Sequence, residues 1–209
     1  QKIELTNVLI GDLWLCSGQS NMQWGLVNIK AEKDIAACNY PGLRVLTMPI
    51  VMAAAPAKTF PTKAPYGTWR VGNPVNARTF SAVAYYFGRE VQVKTEVPIG
   101  LIVSALTSTR IEPWIAPVGY RQVPEMEGTV AIFDERKKVY LAEMPAYLKK
   151  MELWVKASQE AFDQGREFPP APAKPRHPVY EPGDPANGSH RLFNGMIAPL
   201  LGFPIKGVI

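Results

Sequence analysis

The chain has little of what most often carries chemistry. His177 and His190 are its two histidines, and Cys16 and Cys38 are its two cysteines. The cysteines form neither a C-x-x-C pair nor any metal-ligand spacing, so no metal site is implied. Cys16 ends an apolar run, where a buried thiol is the ordinary reading; a disulfide to Cys38 stays open beside it. No apolar run approaches the ~20 residues that a membrane span needs. No basic-then-apolar leader precedes "KIELTNVL", so no signal peptide is visible in these residues. Basic residues are scattered despite a net charge of +5, and their longest run is "RKK" at Arg136 to Lys138, directly behind "DE". Nucleic acid is disfavoured as a partner, because phosphate tracking needs a clustered basic face.

What is present suits a globular protein. The 209 residues are 47% hydrophobic and 20% charged, enough for one sizeable core and too apolar for a disordered chain. Twenty prolines are about twice the usual share, and they cluster.

The first half alternates short apolar runs with helical patterns. "LWLC" (Leu13 to Cys16) lies between Gly11 and Gly18 and reads as a strand buried on both faces. "LRVLTM" (Leu43 to Met48) follows the turn signal "YPG" and reads as a second strand. Phe80, Val83, Ala84, Phe87 and Val91 recur at helical spacing, with Thr79 or Ser81 placed to cap. "VPIGLIVSAL" (Val97 to Leu106) is a third buried strand. Strands alternating with helices predict an α/β fold with a parallel sheet.

The second half differs. Tyr140, Met144, Tyr147, Met151, Trp154 and Phe162 mark one amphipathic helical face. Pro145 predicts a break there, with the proline opening a new helix, and Gly165 predicts its end. "FPPAPAKPRHPVYEPGDPANG" is too proline-rich for helix or central strand. It reads as a polyproline-II-like surface loop or a mobile flap, with an SH3-type ligand as the sharper alternative. "LFNGMIAPLL" resumes as a short helix, and "IKGVI" opens a fourth strand. A domain seldom stops inside an apolar strand, so the chain reads as cut at Ile209.

One stretch stands out. "LCSGQSNM" (Leu15 to Met22) places four polar side chains directly behind an apolar strand. Ligands of open parallel sheets bind beyond the carboxyl ends of the strands, and a serine at the following helix start lies near unpaired N–H groups. Such a place favours developing negative charge, as acyl transfer requires. Ser20 is then either a nucleophile or simply the cap of a helix beginning near Asn21. Met22 stands where a G-x-S-x-G elbow needs its second glycine, which disfavours an ordinary α/β-hydrolase.

"GDLWLCSGQSNMQW" resembles the first block of the sialate O-acetylesterase family, a carbohydrate-esterase branch of the SGNH hydrolases. "FSAVAYYFGREV", "VPIGLIVSALTSTRIEPW" and "LFNGMIAPLLGFPIKGVI" resemble successive blocks of that family, in order. Residues 115–191, a helical and Pro-rich insertion, are the least family-specific part. The resemblance implies an SGNH-type three-layer α/β sandwich, taken here as one partial domain over residues 1–209. It also implies removal of O-acetyl groups from sugars with Ser20 as nucleophile, and no cofactor. By the same resemblance Gln19, Asn21 and Ser108 support the serine loop or the oxyanion site. Arg110, Glu112 and Asn194 line the cleft. Backbone satisfaction is the plainer role for Gln19 and Asn21, an ion pair orienting the loop stands at least level with sugar contact for Arg110 and Glu112, and a turn or helix cap is the plainer role for Asn194. Trp14, Trp24, Trp69 and Trp114 are candidates for stacking on sugar rings or for the core. Relatives of this kind are secreted, periplasmic or lysosomal.

Two departures temper the resemblance. The family's third block reads S-W-G-G-T, whereas this chain has Ala105, Leu106, Thr107, Ser108 and Thr109. Both glycines are gone, and a Cβ at Thr107 or Ser108 obstructs backbone approach to an acyl oxygen. The family pattern also continues past "GVI" with W-Y-Q-G-E and, far downstream, D-x-x-H for acid and base. Neither His177 nor His190 matches that histidine, so a missing C-terminal segment is the expected partner. The competing readings are a non-catalytic carbohydrate-binding relative and a fragment with no role of its own.

Overall fold

The computed structural model describes residues 2, 4, 6–175 and 189–209, with the side chains of Thr129 and Phe133 left aside. Its centre is a sheet of five strands: β1 (Asp12–Gly18), β2 (Tyr40–Thr47), β3 (Trp69–Gly72), β4 (Ile99–Ala105) and β5 (Gly207–Val208). Their order is β3-β2-β4-β1-β5. β4 is parallel to β1 and β2, β5 is parallel to β1, and β3 runs antiparallel to β2. The mixed α/β class stands, and the sheet is parallel except at β3, a strand too short to show in the hydrophobic pattern.

Helices α1 (Ser20–Gln23) and α2 (Glu32–Ala36) follow β1, and α3 (Pro74–Ala77) and α4 (Ala82–Thr95) follow β3. Alternation along the strands sorts their side chains onto two faces. Leu43, Val45, Leu101, Val103 and Cys16 pack on one face with Phe80, Ala84 and Tyr85, at and inside the start of α4. Leu46 and Ile102 face the other way, against Met48, Leu192, Met196 and Leu200. Three layers result, as the sandwich expectation requires. β1 is less enclosed than expected: only Cys16 is fully buried, because β5 covers it at Trp14 and Leu15 alone. Ser81, one of the two predicted caps, accepts from the Ala84 amide and starts α4.

Beyond β4 come α5 (Pro117–Arg121) and α6 (Glu127–Asp163). α6 has 37 residues, about 55 Å at 1.5 Å per residue, and Pro145 lies inside it. The predicted break is absent. Pro145 has no N–H for the carbonyl of Leu141, but both residues are exposed, so that carbonyl is open to water. The amphipathic stripe is real from Tyr140 to Trp154, all half-buried, and continues through Ser158 and Ala161. Phe162 is off it, at 68% exposure. Gly165 closes the helix as predicted, with φ +64. The amides of Gly165 and Arg166 donate to the carbonyls of Phe162 and Ala161, the paired bonds of a Schellman motif.

The chain then returns along α6, where the Trp154 indole donates to the Pro169 carbonyl at 2.8 Å. Pro169, Pro172 and Pro175 are half-buried while the residues between them are exposed. That spacing is the three-residue turn of polyproline II. The rest of the Pro-rich stretch, residues 176–188 with His177 and Asp184, lies outside the described residues, as does any reading of it as a flap or ligand. Phe193–Ile197 form a π-helical turn followed by a 3-10 turn, Ala198–Leu200, in place of the expected regular helix.

Candidate active site

The carboxyl ends of β1 and β4 lie side by side, with Gly18 paired to Ala105. Both strands stop there, and the Leu106 amide donates to the Gly18 carbonyl at 3.2 Å. Gly18 has φ +152, a conformation L side chains rarely adopt, and it turns the chain into α1 at once. Ser20 is the first residue of that one-turn helix, and Gln19 is the N-cap, with no side chain capping the helix. Ser20 is therefore not a cap. The turn is anchored from below by Met22, buried at the end of α1, and by the Ala82 amide donating to the Trp24 carbonyl.

Ser20 is a half-buried residue at this rim. Its Oγ lies 2.8 Å from Thr107 Oγ1, and it donates to Gln19 Oε1 at 3.4 Å. Neither partner is a base. Gln19 in turn donates from Nε2 to the Thr109 carbonyl at 3.5 Å, while Asn21 faces solvent. The facing loop is braced from within. Trp114 Nε1 donates to Thr109 Oγ1 at 3.0 Å, and Thr109 donates to the Leu106 carbonyl at 2.8 Å. Ser108 sits at φ +57, so a residue with a Cβ occupies a left-handed position. The Thr107 amide is engaged, donating to Gln23 Oε1 at 2.6 Å.

The other predicted residues are spread around this loop. Arg110 is exposed. Glu112 is half-buried; its carbonyl accepts from the Tyr120 hydroxyl at 3.0 Å, and its Oε2 is buried without a hydrogen-bond partner among the described residues. Asn194 is 2% exposed and holds the neighbouring loop, donating to the Ala53 carbonyl at 3.2 Å and accepting from the Ala57 amide at its own carbonyl. Gly195 beside it is required by contact: a Cβ there would lie 2.0 Å from the Val51 carbonyl oxygen.

Among the tryptophans, Trp24 and Trp69 are exposed, Trp14 packs edge-on against Phe87, and Trp114 braces the loop. Trp69 pairs with Leu46, and its ring extends over Gly100 toward the opposite rim. A cavity of about 330 Å³ lies there, at the amino ends of the strands, lined by Asp12, Arg44, Trp69 and Pro98 among others. It is remote from Ser20 along the strands.

His190 does not serve the Ser20 hydroxyl. Its Nδ1 lies 2.9 Å from the Ile115 carbonyl, and its ring packs edge-on against Tyr120. Burial holds its pKa below 6.5, an effect that the Ile115 carbonyl opposes and the Arg121 charge reinforces. Cys16 and Cys38 are both free and buried, which closes the disulfide alternative, and burial pushes the Cys16 thiol up to about 12. Among the described residues no group of three His, Cys, Asp or Glu side chains is placed to hold a metal. The sequence reading missed the Thr107 hydroxyl as a neighbour of Ser20. Only the register of β1 on β4 brings these two residues, 87 positions apart, together.

No family model matches the chain. Sialate O-acetylesterase of Rattus norvegicus is 31% identical over 224 residues, covering all of this chain and 37% of the rat protein. The human sialate O-acetylesterase is 34% identical over 125 residues, or 54% of this chain and 24% of the human protein. The chain belongs to the sialate O-acetylesterase family. A carbohydrate acetylesterase crystal structure from Xanthomonas citri superposes with a TM-score of 0.59 at 25% identity, covering 95% of this chain and 31% of that one. The α/β sandwich with Ser20 at its rim is thus a fold shared with a carbohydrate acetylesterase. The chain spans little more than a third of the length of the rat relative.

Proposed function

We propose that this chain supplies the nucleophile of a serine-dependent carbohydrate O-acetylesterase. The observation that carries the proposal is the Ser20 hydroxyl, held at the carboxyl rim of the parallel sheet against Thr107 and not used as a helix cap. The family's names supply the substrate class, an O-acetylated sugar. In the first step Ser20 Oγ bonds to the acetyl carbon and its proton passes to a base. The carbonyl π pair moves to oxygen and, as it returns, expels the sugar alkoxide, which takes a proton. Water then attacks the acetyl-enzyme in the same way and releases acetate. The base is absent from the hydrogen-bond partners of Ser20. We assign it, with its acid, to residues outside this chain, on the motif pattern of the family. Trp24, 54% exposed one helical turn after Ser20, offers a ring on which a sugar stacks. Arg110 and Glu112 are assigned to sugar hydroxyls on the facing loop, with Gln19 and Asn21 steadying the serine turn. Asn194 supports the 53–57 loop. The family resemblance points to a secreted, periplasmic or lysosomal setting, and no described helix is long and apolar enough to cross a membrane.

The test is acetate release from O-acetylated sugars by the longest protein that carries these residues, and by its Ser20→Ala variant. Loss of at least about a thousand-fold in kcat is expected. Equal rates would remove Ser20 from the mechanism. A second reading, a carbohydrate-binding relative without activity, is favoured by one observation: the Thr107 amide is already engaged by Gln23 and is not free to bind an acyl oxygen. Sugar binding that survives in a protein releasing no acetate would select it.

A further inference from the structure

The loop facing Ser20 offers its hydrogen-bond donors unevenly. The backbone amide of Thr107 is held by Gln23 Oε1 at 2.6 Å, so the donor this residue retains is its hydroxyl. That hydroxyl lies 2.8 Å from Ser20 Oγ. Either hydroxyl can donate in this pair, but once Ser20 Oγ has lost its proton it can only accept, and Thr107 is then the donor. As a β-branched residue, Thr107 has few χ1 choices, so its hydroxyl is pre-set. The loop that carries it is fixed by the Trp114–Thr109–Leu106 bonds.

We infer that the Thr107 hydroxyl is the hydrogen-bond donor that steadies negative charge on the residue-20 nucleophile and on the acyl oxygen bonded next to it. The inference rests on the reading of Ser20 as nucleophile and adds a group that touches the reacting atom. The serine oxygen and the oxyanion of a tetrahedral acyl centre share one carbon, so a donor in contact with the first reaches the second by a small rotation. A pre-set donor of this kind typically contributes 10²–10³ in kcat when water is excluded. Thr107 is exposed, and we set its contribution lower, at about tenfold.

A thiol placed at position 20 reads the donor without needing turnover. In a Ser20→Cys variant the introduced thiol is titrated by its rate of alkylation with iodoacetamide against pH. Cys16 and Cys38 are fully buried with raised pKa values and stay silent. A donor to the thiolate lowers its pKa. Adding Thr107→Val, which keeps the shape and removes the hydroxyl, is expected to raise that pKa by about half a unit or more. Adding Thr107→Ser, which keeps the hydroxyl, is expected to leave it low. Identical titrations with threonine and valine overturn the inference, as does serine behaving like valine, since the methyl group and not the hydroxyl would then matter. Should the valine variant fail to fold, Thr107→Ala is titrated in its place, with the same two outcomes. Acetate release by Ser20→Ala separates the two ideas. Release lost there, with titrations unchanged, removes Thr107 and leaves Ser20. Release retained, with titrations shifted, leaves the contact and removes the esterase reading.

Discussion

The sheet and the long helix α6 both announce themselves by apolar patterning, a continuous run in one and a helical stripe in the other, and they end in opposite circumstances. In β4 every residue but Gly100 is buried, and Leu101 and Ile102 are wholly enclosed, one on each face. In α6 the apolar residues Leu141, Leu148, Leu153 and Val155 are all more than half exposed. Its main packing among the described residues is with α5, the 3-10 turn Pro124–Met126 and the returning prolines, not with the sheet. Periodicity names a face of an element; it does not name what covers that face. At the seam between the two regions the Tyr120 and His190 rings pack edge-on, and the Glu112 carbonyl collects the Tyr120 hydroxyl and the His190 amide.

Substitutions sharpen the contrast in decreasing order of effect. Leu101→Ala removes a side chain packed in the core and is expected to cost about 2–5 kcal/mol in urea unfolding. The same change at Leu148 on α6 is expected to stay within about 0.5 kcal/mol. Comparable losses would mean that α6 is buried in solution.

Glycine gives a second pair, opposite in sign. Gly195→Ala drives a Cβ into the Val51 carbonyl, a backbone obstacle, and is expected to cost about 3 kcal/mol, the top of the overpacking range. Gly128→Ala in the first turn of α6 meets nothing within 4 Å and is expected to gain up to about 0.5 kcal/mol from helix propensity, less than in a helix interior. Thermal melts of both variants check the signs, and a loss at Gly128 would refute the solvent-facing placement of that turn.

The smallest effect sits at the seam. Because burial depresses the folded-state pKa of His190 below 6.5, the unfolded chain takes up this proton first. Its contribution to stability is complete above pH 6.5 and declines as pH falls through the folded value. Denaturation midpoints at pH 7.5 and 5 should therefore converge in His190→Gln relative to the parent, and an unchanged slope would clear His190 of the effect.

Much of the fold was legible from the chain. Strands enclosed by neighbours on both sides need apolar residues throughout, which is why the runs at Leu13, Leu43 and Val97 stand out. β3 escaped because "WRVG" is only four residues, and its pairing with β2 lies at a distance in sequence. Pro145 misled for an energetic reason. A proline interrupts a helix when its orphaned carbonyl has no partner, and here that carbonyl lies on the wet side. The candidate site was half legible: Ser20 is announced by the switch from "LWLC" to "SGQSN", but Thr107 registered only as a lost glycine.

By itself, then, the sequence determined strands β1, β2 and β4 and helix α4, where the first strand hands over to a polar turn, and which serine stands in that turn. Those are local matters of apolar spacing, glycine and capping. Tertiary structure alone decided that Thr107 faces Ser20, that Gln23 occupies the Thr107 amide, and that α6 runs unbroken along solvent. Each depends on which distant segments meet, and neither spacing nor propensity carries that information.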